Sequence, residues 1–231
     1  MDVRSYLSKA GLTADVGATR EAQQALWEIL DEAKKASLPA TPSALNALYQ
    51  FKVPKLAPDG TCARFDDLDP VPYDLGSVLG ERSIQNSFAL ITLDALVESI
   101  HVKLKCDWLG VYQARALAAG PTLVKLAYRG LESRAEFPLT EAFAKTSNNS
   151  TVGLRGKALL IDDVRKHLEG GGAYYECDPK VQSEACLPLF DPNGKVVGII
   201  DAESSKSGFF TPARLSLLVA LATEAASHLP R

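Results

Sequence analysis

The sequence contains no apolar stretch that approaches the roughly 20 residues of a membrane-spanning helix. Its first residues, MDVRSYLSKAGL, also lack the apolar core of a secretory signal peptide. Only four cysteines occur (Cys62, Cys106, Cys177 and Cys186), and their irregular spacing does not form a disulfide framework in a chain of 231 residues. These absences predict a protein of a reducing compartment, the cytoplasm, with no membrane partner.

Charge of one sign is not concentrated anywhere in the chain. No block of Lys or Arg stands out and the formal net charge is −3, so we expect no nucleic-acid partner. None of the three histidines (His101, His167 and His228) has the spacing of a metal-ligand set, so we expect neither a metal ion nor another cofactor. With 46% hydrophobic residues, the chain can bury one sizeable core.

The first part of the chain, residues 1–85, predicts an N-terminal helical extension followed by a connector. Apolar residues at helical spacing predict a helix over 19–36 and a shorter one over 43–51. The run 54–76 is rich in Pro, Asp and Gly, which predicts an extended connector without a regular element. The longer helix has three alternative roles: docking on the sheet, pairing with a second subunit, or covering a pocket.

The second part, residues 86–231, reads as a helix, then strands, then a helix. The helix is predicted over 86–105, and a Gly-Pro pair at 120–121 predicts the turn between the first two strands. The strands are predicted at 108–115, 122–128, 158–161, 185–190 and 195–202. An Asp-Pro-Asn-Gly run at 191–194 predicts a tight hairpin, and the pair at 211–212 opens the final helix. The order predicts an α+β fold, an antiparallel sheet flanked by helices.

One segment, residues 174–205, groups a thiol with several acids. Its chemically important members are Cys177, Asp178, Glu184, Asp201 and Glu203. Carboxylates disfavour a neighbouring thiolate, so the grouping is typical of a pocket that holds a cation or keeps one acid protonated. The segment therefore predicts the functional site.

Simpler interpretations stand beside this one. Cys106 and Cys186 lie in apolar elements, where a cysteine is most often a small buried side chain. The acids would also fit a solvated rim at the ends of strands. Trp108 fits core packing and a pocket wall equally well.

Four motifs between residues 86 and 226 carry a family resemblance. They read DWLGVY, ALLIDDV, ECDPKVQSEACLPLF and GIIDAESS. Together with the order of elements they resemble the GAF domain, and in their details the free methionine-(R)-sulfoxide reductases. The resemblance implies a GAF-like antiparallel sheet flanked by helices, preceded here by the N-terminal helical extension, and a homodimer formed through the helix at 86–105.

The resemblance also implies roles for individual residues. Cys177 matches the catalytic nucleophile of the reductases. Acids that bind substrate or donate a proton are matched by Glu184, Asp201 and Glu203, with Asp178 beside them; the pocket aromatics are matched by Trp108 and Tyr112. Glu203 stands where the family usually has Asp.

One departure concerns recycling of the oxidised cysteine. The family carries two further cysteines in the loop before Gly156, and residues 128–156 contain none. Clearing a sulfenic acid on Cys177 would then fall to Cys186, to Cys106, or to an external thiol such as thioredoxin or a small thiol. We expect a direct Cys177–Cys186 bond only where the two Cα atoms lie within about 7 Å.

Three functions remain open at this point. The first is a thiol-dependent reductase of free methionine-(R)-sulfoxide or a related small amino acid. The second is a GAF sensor that binds an amino-acid-like molecule without turnover. The third is an enzyme that uses the same pocket for another reaction.

Overall fold

The computed structural model describes residues 1–35, 41–56, 67–80, 82–175 and 178–231. The elements before the central helix are α1 (Val3–Ala10), α2 (Val16–Lys35), α3 (Pro42–Tyr49), β1 (Gln50–Phe51), β2 (Tyr73–Asp74) and α4 (Leu75–Leu79). They are followed by α5 (Ile84–Leu104), β3 (Trp108–Leu117), β4 (Gly120–Arg129), β5 (Glu136–Pro138), α6 (Glu141–Ala144), α7 (Asn148–Arg155), β6 (Leu159–Ile161), α8 (Val164–Glu169), β7 (Ser183–Phe190), β8 (Val196–Ser204) and α9 (Pro212–Ala225). None of the helices in these ranges is both long and apolar enough to cross a membrane.

Strands β3 to β8 form one sheet in the order β5-β4-β3-β8-β7-β6, and every neighbouring pair is antiparallel. Successive side chains of a strand point to opposite faces of the sheet. On one face, Leu109, Val111, Leu187 and Ile200 join the hydrophobic core that contains α5 and α9. The other face carries a smaller apolar cluster and the polar residues discussed below. The predicted α+β fold, with an antiparallel sheet flanked by helices, is confirmed.

The N-terminal helices pack against the helical layer of the sheet. Leu26 of α2 is fully buried in the same core as α5 and α9, and Tyr6 of α1 is buried there as well. The Tyr6 hydroxyl donates a hydrogen bond to the carbonyl of Pro188 in β7 at 2.9 Å. The helical extension is therefore confirmed and docks on the remainder of the chain, while its boundary at residue 85 stays a prediction.

Several predicted boundaries were wrong. Helix α2 begins three residues earlier than predicted, because Asp15 accepts a hydrogen bond from the Ala18 amide at 2.8 Å and caps it. The β3–β4 turn lies at 118–119, since Gly120 and its neighbour already pair with β3. Helix α1 was not predicted.

The prediction of an extended connector over 54–76 was only partly correct. Its last residues form β2 and the start of α4, because the Asp74 carboxylate accepts from the Gly76 amide at 2.8 Å and so begins a helix. Residues 57–66 lie outside the described ranges. The hairpin at 191–194 and the helix opened by Thr211 are confirmed.

The packing of α2 in the shared core predicts that this helix and the sheet unfold together. Leu26→Ala removes a fully buried side chain from the shared core, so we expect the free energy of unfolding of the whole chain to fall by about 2–5 kcal/mol. Urea unfolding followed by the fluorescence of Trp108 would measure it in a Trp27→Phe background. Glu28→Ala, exposed on the same helix, should change the value by less than about 0.5 kcal/mol. A Leu26→Ala midpoint unchanged from that of the background would show that α2 and the sheet unfold independently.

Candidate functional site

Strand register brings the predicted residues together. On β3 and β8, Trp108 lies opposite Glu203 and Gly110 lies opposite Asp201. On β7, Glu184 lies opposite Glu203, and Cys186 lies opposite Asp201. Because positions two apart share a face, these side chains form one cross-strand patch on the face turned away from α5 and α9.

A small cavity lies over this patch, with a volume of about 20 Å³. It is lined by Trp108, Tyr112, Ser133, Phe137, Ser147, Asn148, Asn149, Tyr175, Glu184, Asp201 and Glu203. The structure thus places three of the predicted acids and both predicted aromatics around one cavity. Cys177 lies outside the described residues.

Trp108 is at once a core residue and a wall of the cavity. Its ring lies across Gly110, where a Cβ atom would come within 2.2 Å of it, so only glycine fits there. The indole N–H donates to the carbonyl of Leu131 at 3.1 Å, and the ring stacks on Tyr128. Tyr112, a tilted ring neighbour of Trp108, completes this part of the wall. The aromatic wall is therefore fixed before any ligand arrives.

The two acids at the bottom of the cavity are buried and held by asparagines. Glu184 and Asp201 are each 4% exposed. Asn148 donates its amide N–H to Glu184 Oε2 at 3.1 Å, and Asn149 donates to Asp201 Oδ2 at 3.1 Å. Both asparagines stand in the first turn of α7, whose N-cap is Ser147. The start of α7 thereby fixes the orientation of both carboxyl groups.

Burial changes the acidity of this pair. It raises the pKa of Glu184 well above its ordinary value, and the charge of Asp201 raises it further. Burial also raises the pKa of Asp201 to about 7, against the opposing effects of the hydrogen bond from Asn149 and of the nearby Ala202 backbone amide. No salt bridge joins either carboxylate to a Lys or Arg of the described ranges. The pair consequently carries a proton at neutral pH.

The two described cysteines are buried. Cys186 is fully inaccessible, and its thiol donates a weak hydrogen bond to Asn149 Oδ1 at 3.3 Å. Burial raises its pKa well above the ordinary value, and it raises the pKa of Cys106 to about 12. The interpretation of both as buried side chains is confirmed. A resolving role for Cys186 stays a prediction, as does the nucleophilic role of Cys177.

A second, larger cavity of about 230 Å³ adjoins the first. The two share Trp108, Ser133 and Glu203. Asp178 lines the second cavity and not the first, so it stands apart from Glu184 and Asp201. The ligand-accessible region therefore consists of a small cavity with aromatic and acidic walls and, beside it, a larger acidic cavity.

Several lining residues were not predicted as functional from the sequence. Asn148 and Asn149 contact acids that lie 36 and 52 positions further along the chain. Tyr175 and Phe137 of β5, which pack edge to face, also line the cavity. The polar run SNNS at 147–150 was the one available signal, since a Ser followed by amides is typical of a helix start.

Comparisons with known proteins agree on the fold. The family model of the GAF domain matches residues 90–229. No curated protein matches the chain significantly. A type II free methionine-R-sulfoxide reductase from Thermoplasma acidophilum superposes with a TM-score of 0.54 at 24% identity, covering 62% of this chain and 94% of that one.

Two further solved structures are comparable. The free methionine-R-sulfoxide reductase from Neisseria meningitidis, solved with its substrate, gives a TM-score of 0.50 at 18% identity and covers 67% of this chain and 84% of that one. A GAF domain gives a TM-score of 0.50 at 20% identity, covering 61% and 77%. At these identities the likeness shows the fold alone.

The raised pKa of Asp201 predicts a pH-dependent stability. Between its ordinary value of 3.8 and about 7, the folded protein keeps a proton that the unfolded chain has released. The free energy of unfolding should therefore fall as the pH rises from about 4 to about 7, and this contribution should be constant above that range. Urea unfolding at intervals of pH would measure the slope.

The matched variants are Asp201→Asn, which removes the titrating group, and Asp31→Asn on the exposed surface of α2. The first should flatten the slope and the second should leave it unchanged. An equally steep slope in Asp201→Asn would contradict the assignment of the proton to Asp201, since Glu184, whose pKa burial also raises, would then hold it.

Proposed function

This chain belongs to the GAF domain family, and we propose that it is a thiol-dependent reductase of a small amino-acid sulfoxide, first of all free methionine-(R)-sulfoxide. The observation that carries the proposal is the buried pair Glu184 and Asp201 beside an aromatic wall, with one proton held near pH 7. Reduction of a sulfoxide requires a proton on its oxygen as the sulfur–oxygen bond breaks. A buried carboxylic acid of this pKa is suited to supply it.

The first step of this reaction needs one thiolate and one carboxylic acid. Cys177 attacks the sulfoxide sulfur as a thiolate while Asp201 or Glu184 protonates the sulfoxide oxygen. The resulting hydroxyl group then moves to the cysteine sulfur as the new sulfur–sulfur bond breaks. The products are the thioether methionine and a sulfenic acid on Cys177, so the substrate gains the two electrons that the cysteine loses. Two thiols from an external reductant, thioredoxin or a small thiol, then restore Cys177, and the oxygen leaves as water.

The shape of the two cavities supports an amino acid as ligand. The first has room for about one water molecule, so only a compact group such as a sulfoxide and its methyl can enter it, with some movement of lining side chains outside the aromatic wall. Trp108 presents a flat apolar surface for that methyl. The larger cavity takes the other end of the ligand, where Glu203 and Asp178 would attract an ammonium group.

An external reductant fits the described cysteines better than an internal one. Cys186 and Cys106 are both buried, and burial raises the pKa of each thiol, which disfavours the thiolate needed to attack a sulfenic acid. Each is therefore a poor resolving thiol in this conformation.

A non-catalytic sensor is the second candidate, and one observation favours it. Residues 128–156 contain no cysteine, and Asn148 and Asn149 there hold the acids. A pocket with the same acids and no recycling would bind an amino-acid-like cation without turning it over. The two candidates differ in product formation, which can be measured directly.

The proposal predicts turnover that depends on Cys177. Reduced protein incubated without oxygen with free methionine-(R)-sulfoxide and a thioredoxin system should release methionine continuously. Cys177→Ser should lower the rate by at least about 10³-fold, because the nucleophile is lost. Cys106→Ser, another cysteine change, should leave the rate within about twofold. Chromatography of methionine and titration of free thiols would follow the reaction.

Two other results of this experiment would change the conclusion about turnover. One equivalent of methionine followed by arrest would mean that the attack is intact and that thioredoxin cannot recycle the enzyme. An absence of methionine, together with a thermal shift caused by another amino acid, would overturn the reductase and support the sensor.

The acid pair predicts the pH dependence of the rate. Because the proton donor must be protonated and the pKa of Asp201 is raised to about 7, kcat should fall about tenfold per pH unit above that value. Asp201→Asn should lower kcat by about 10²–10⁴-fold and remove this limb of the profile. Glu184→Gln serves as the comparison: if it removes the limb and Asp201→Asn keeps it, Glu184 is the donor. A limb that survives in both variants would exclude the pair from proton donation.

A further inference from the structure

Three ligand-type side chains converge beneath the small cavity. Glu184 and Cys186 are two residues apart on β7, and Cys186 lies directly opposite Asp201 on β8. The Sγ atom of Cys186 and one carboxylate oxygen from each acid lie within 4.8 Å of one another. All three residues are buried. This geometry follows from strand register, so the backbone itself sets the spacing of the three groups.

A second observation shows that the cluster is incomplete. Asp201 Oδ1 is buried and has no hydrogen-bond partner among the described residues. Its other oxygen accepts from Asn149, so the side chain is held in place with one oxygen unsatisfied. A buried carboxylate oxygen without a donor or a cation destabilises the folded state. The cluster therefore provides three ligand atoms together with a buried carboxylate oxygen that has no donor among the described residues.

We propose that Glu184, Cys186 and Asp201 bind a divalent first-row transition-metal ion of the Zn²⁺ or Fe²⁺ type. One sulfur and two carboxylate oxygens suit such an ion, whereas Mg²⁺ and Ca²⁺ prefer oxygen ligands alone. With bonds of about 2.0–2.3 Å, ligand atoms around a tetrahedral ion lie about 3.3–3.8 Å apart. All three atoms lie within 4.8 Å of one another, so a pair at that limit would have to close by about 1–1.5 Å and a closer pair by less, which side-chain rotation can supply.

The surroundings have the features of a metal site with an open position. Asn148 and Asn149 each donate to one of the two carboxylates and so orient them, as outer-shell residues of metal sites do. Glu184 and Asp201 line the cavity and Cys186 does not. An ion bound by all three would therefore lie between the thiol and the cavity, with its remaining position directed into the cavity.

Binding is accompanied by loss of protons. The Cys186 thiol must release its proton to solvent before the sulfur–metal bond forms, and so must whichever carboxyl is protonated. The resulting site carries one thiolate and two carboxylates around a dication, a net charge of −1. The Cys186 hydrogen bond to Asn149 Oδ1 is lost in the same step, which frees that oxygen.

Cobalt is the probe that tests the site, because Co²⁺ bound to a thiolate gives a near-ultraviolet charge-transfer absorption. Tag-free, metal-free, reduced protein titrated with Co²⁺ should bind one ion per chain and show this band, and Zn²⁺ should displace it. Cys186→Ser should abolish the band. Asp201→Asn, nearly identical in shape, should weaken Co²⁺ binding by at least about tenfold.

The control is Cys106→Ser, a buried cysteine outside the cluster. This variant should keep the band and the stoichiometry. Far-ultraviolet circular dichroism of each variant separates loss of the site from loss of the fold, and Asp201→Asn provides the decision if Cys186→Ser does not fold. The proposal is overturned if the unsubstituted protein shows no saturable Co²⁺ binding, or if the band persists in Cys186→Ser. Neither result depends on whether the protein reduces a sulfoxide.

Discussion

The alternation of side chains along β3, β7 and β8 is the constraint on which the rest of the structure depends. On each strand one set of residues, such as Leu109, Leu187 and Ile200, enters the core beneath α5 and α9. The alternate set, which includes Trp108, Glu184 and Asp201, faces the cavity. A shift of register by one residue would place the acids in the helical core and the apolar residues in the cavity. The stability of the core therefore fixes the geometry of the site.

The parts of the fold that local chemistry determines could be predicted from the sequence. The β7–β8 hairpin follows from its Asn-Gly turn, and α9 follows from the Thr-Pro pair that opens it. Helix α1 was missed because, unlike the equally short α3, it has no Pro in its first turn to mark its start. Its stability comes from contacts with distant parts of the chain, such as the bond from Tyr6 to a residue 182 positions away.

The residues of the candidate site differ in the same way, since some could be predicted from the sequence and others could not. The acids could be predicted because they stand near a cysteine in one segment, and the two aromatics because their motif resembles that of a family. The asparagines could not, since each acts through an acid brought to it only by the folded sheet. The effect of burial on the pKa of Asp201 was likewise beyond the sequence, because α7 and the aromatic wall together exclude the solvent. What the sequence left undetermined is the environment of each group, which is the property that decides its chemistry.

The buried acid pair can be neutralised in three ways, by a proton, by an ammonium group or by a metal ion, and these exclude one another to different degrees. A proton leaves as the pH rises past about 7, so any cation that binds both carboxylates gains affinity over the same range. An ammonium group can reach the carboxylates from the cavity, but Cys186 does not line that cavity and offers it nothing. A transition-metal ion, by contrast, requires the thiolate as well as the acids. The Cys186 sulfur therefore distinguishes the two ligands: a metal ion binds it, whereas an amino-acid ligand does not. Both ligands depend on Glu184 and Asp201.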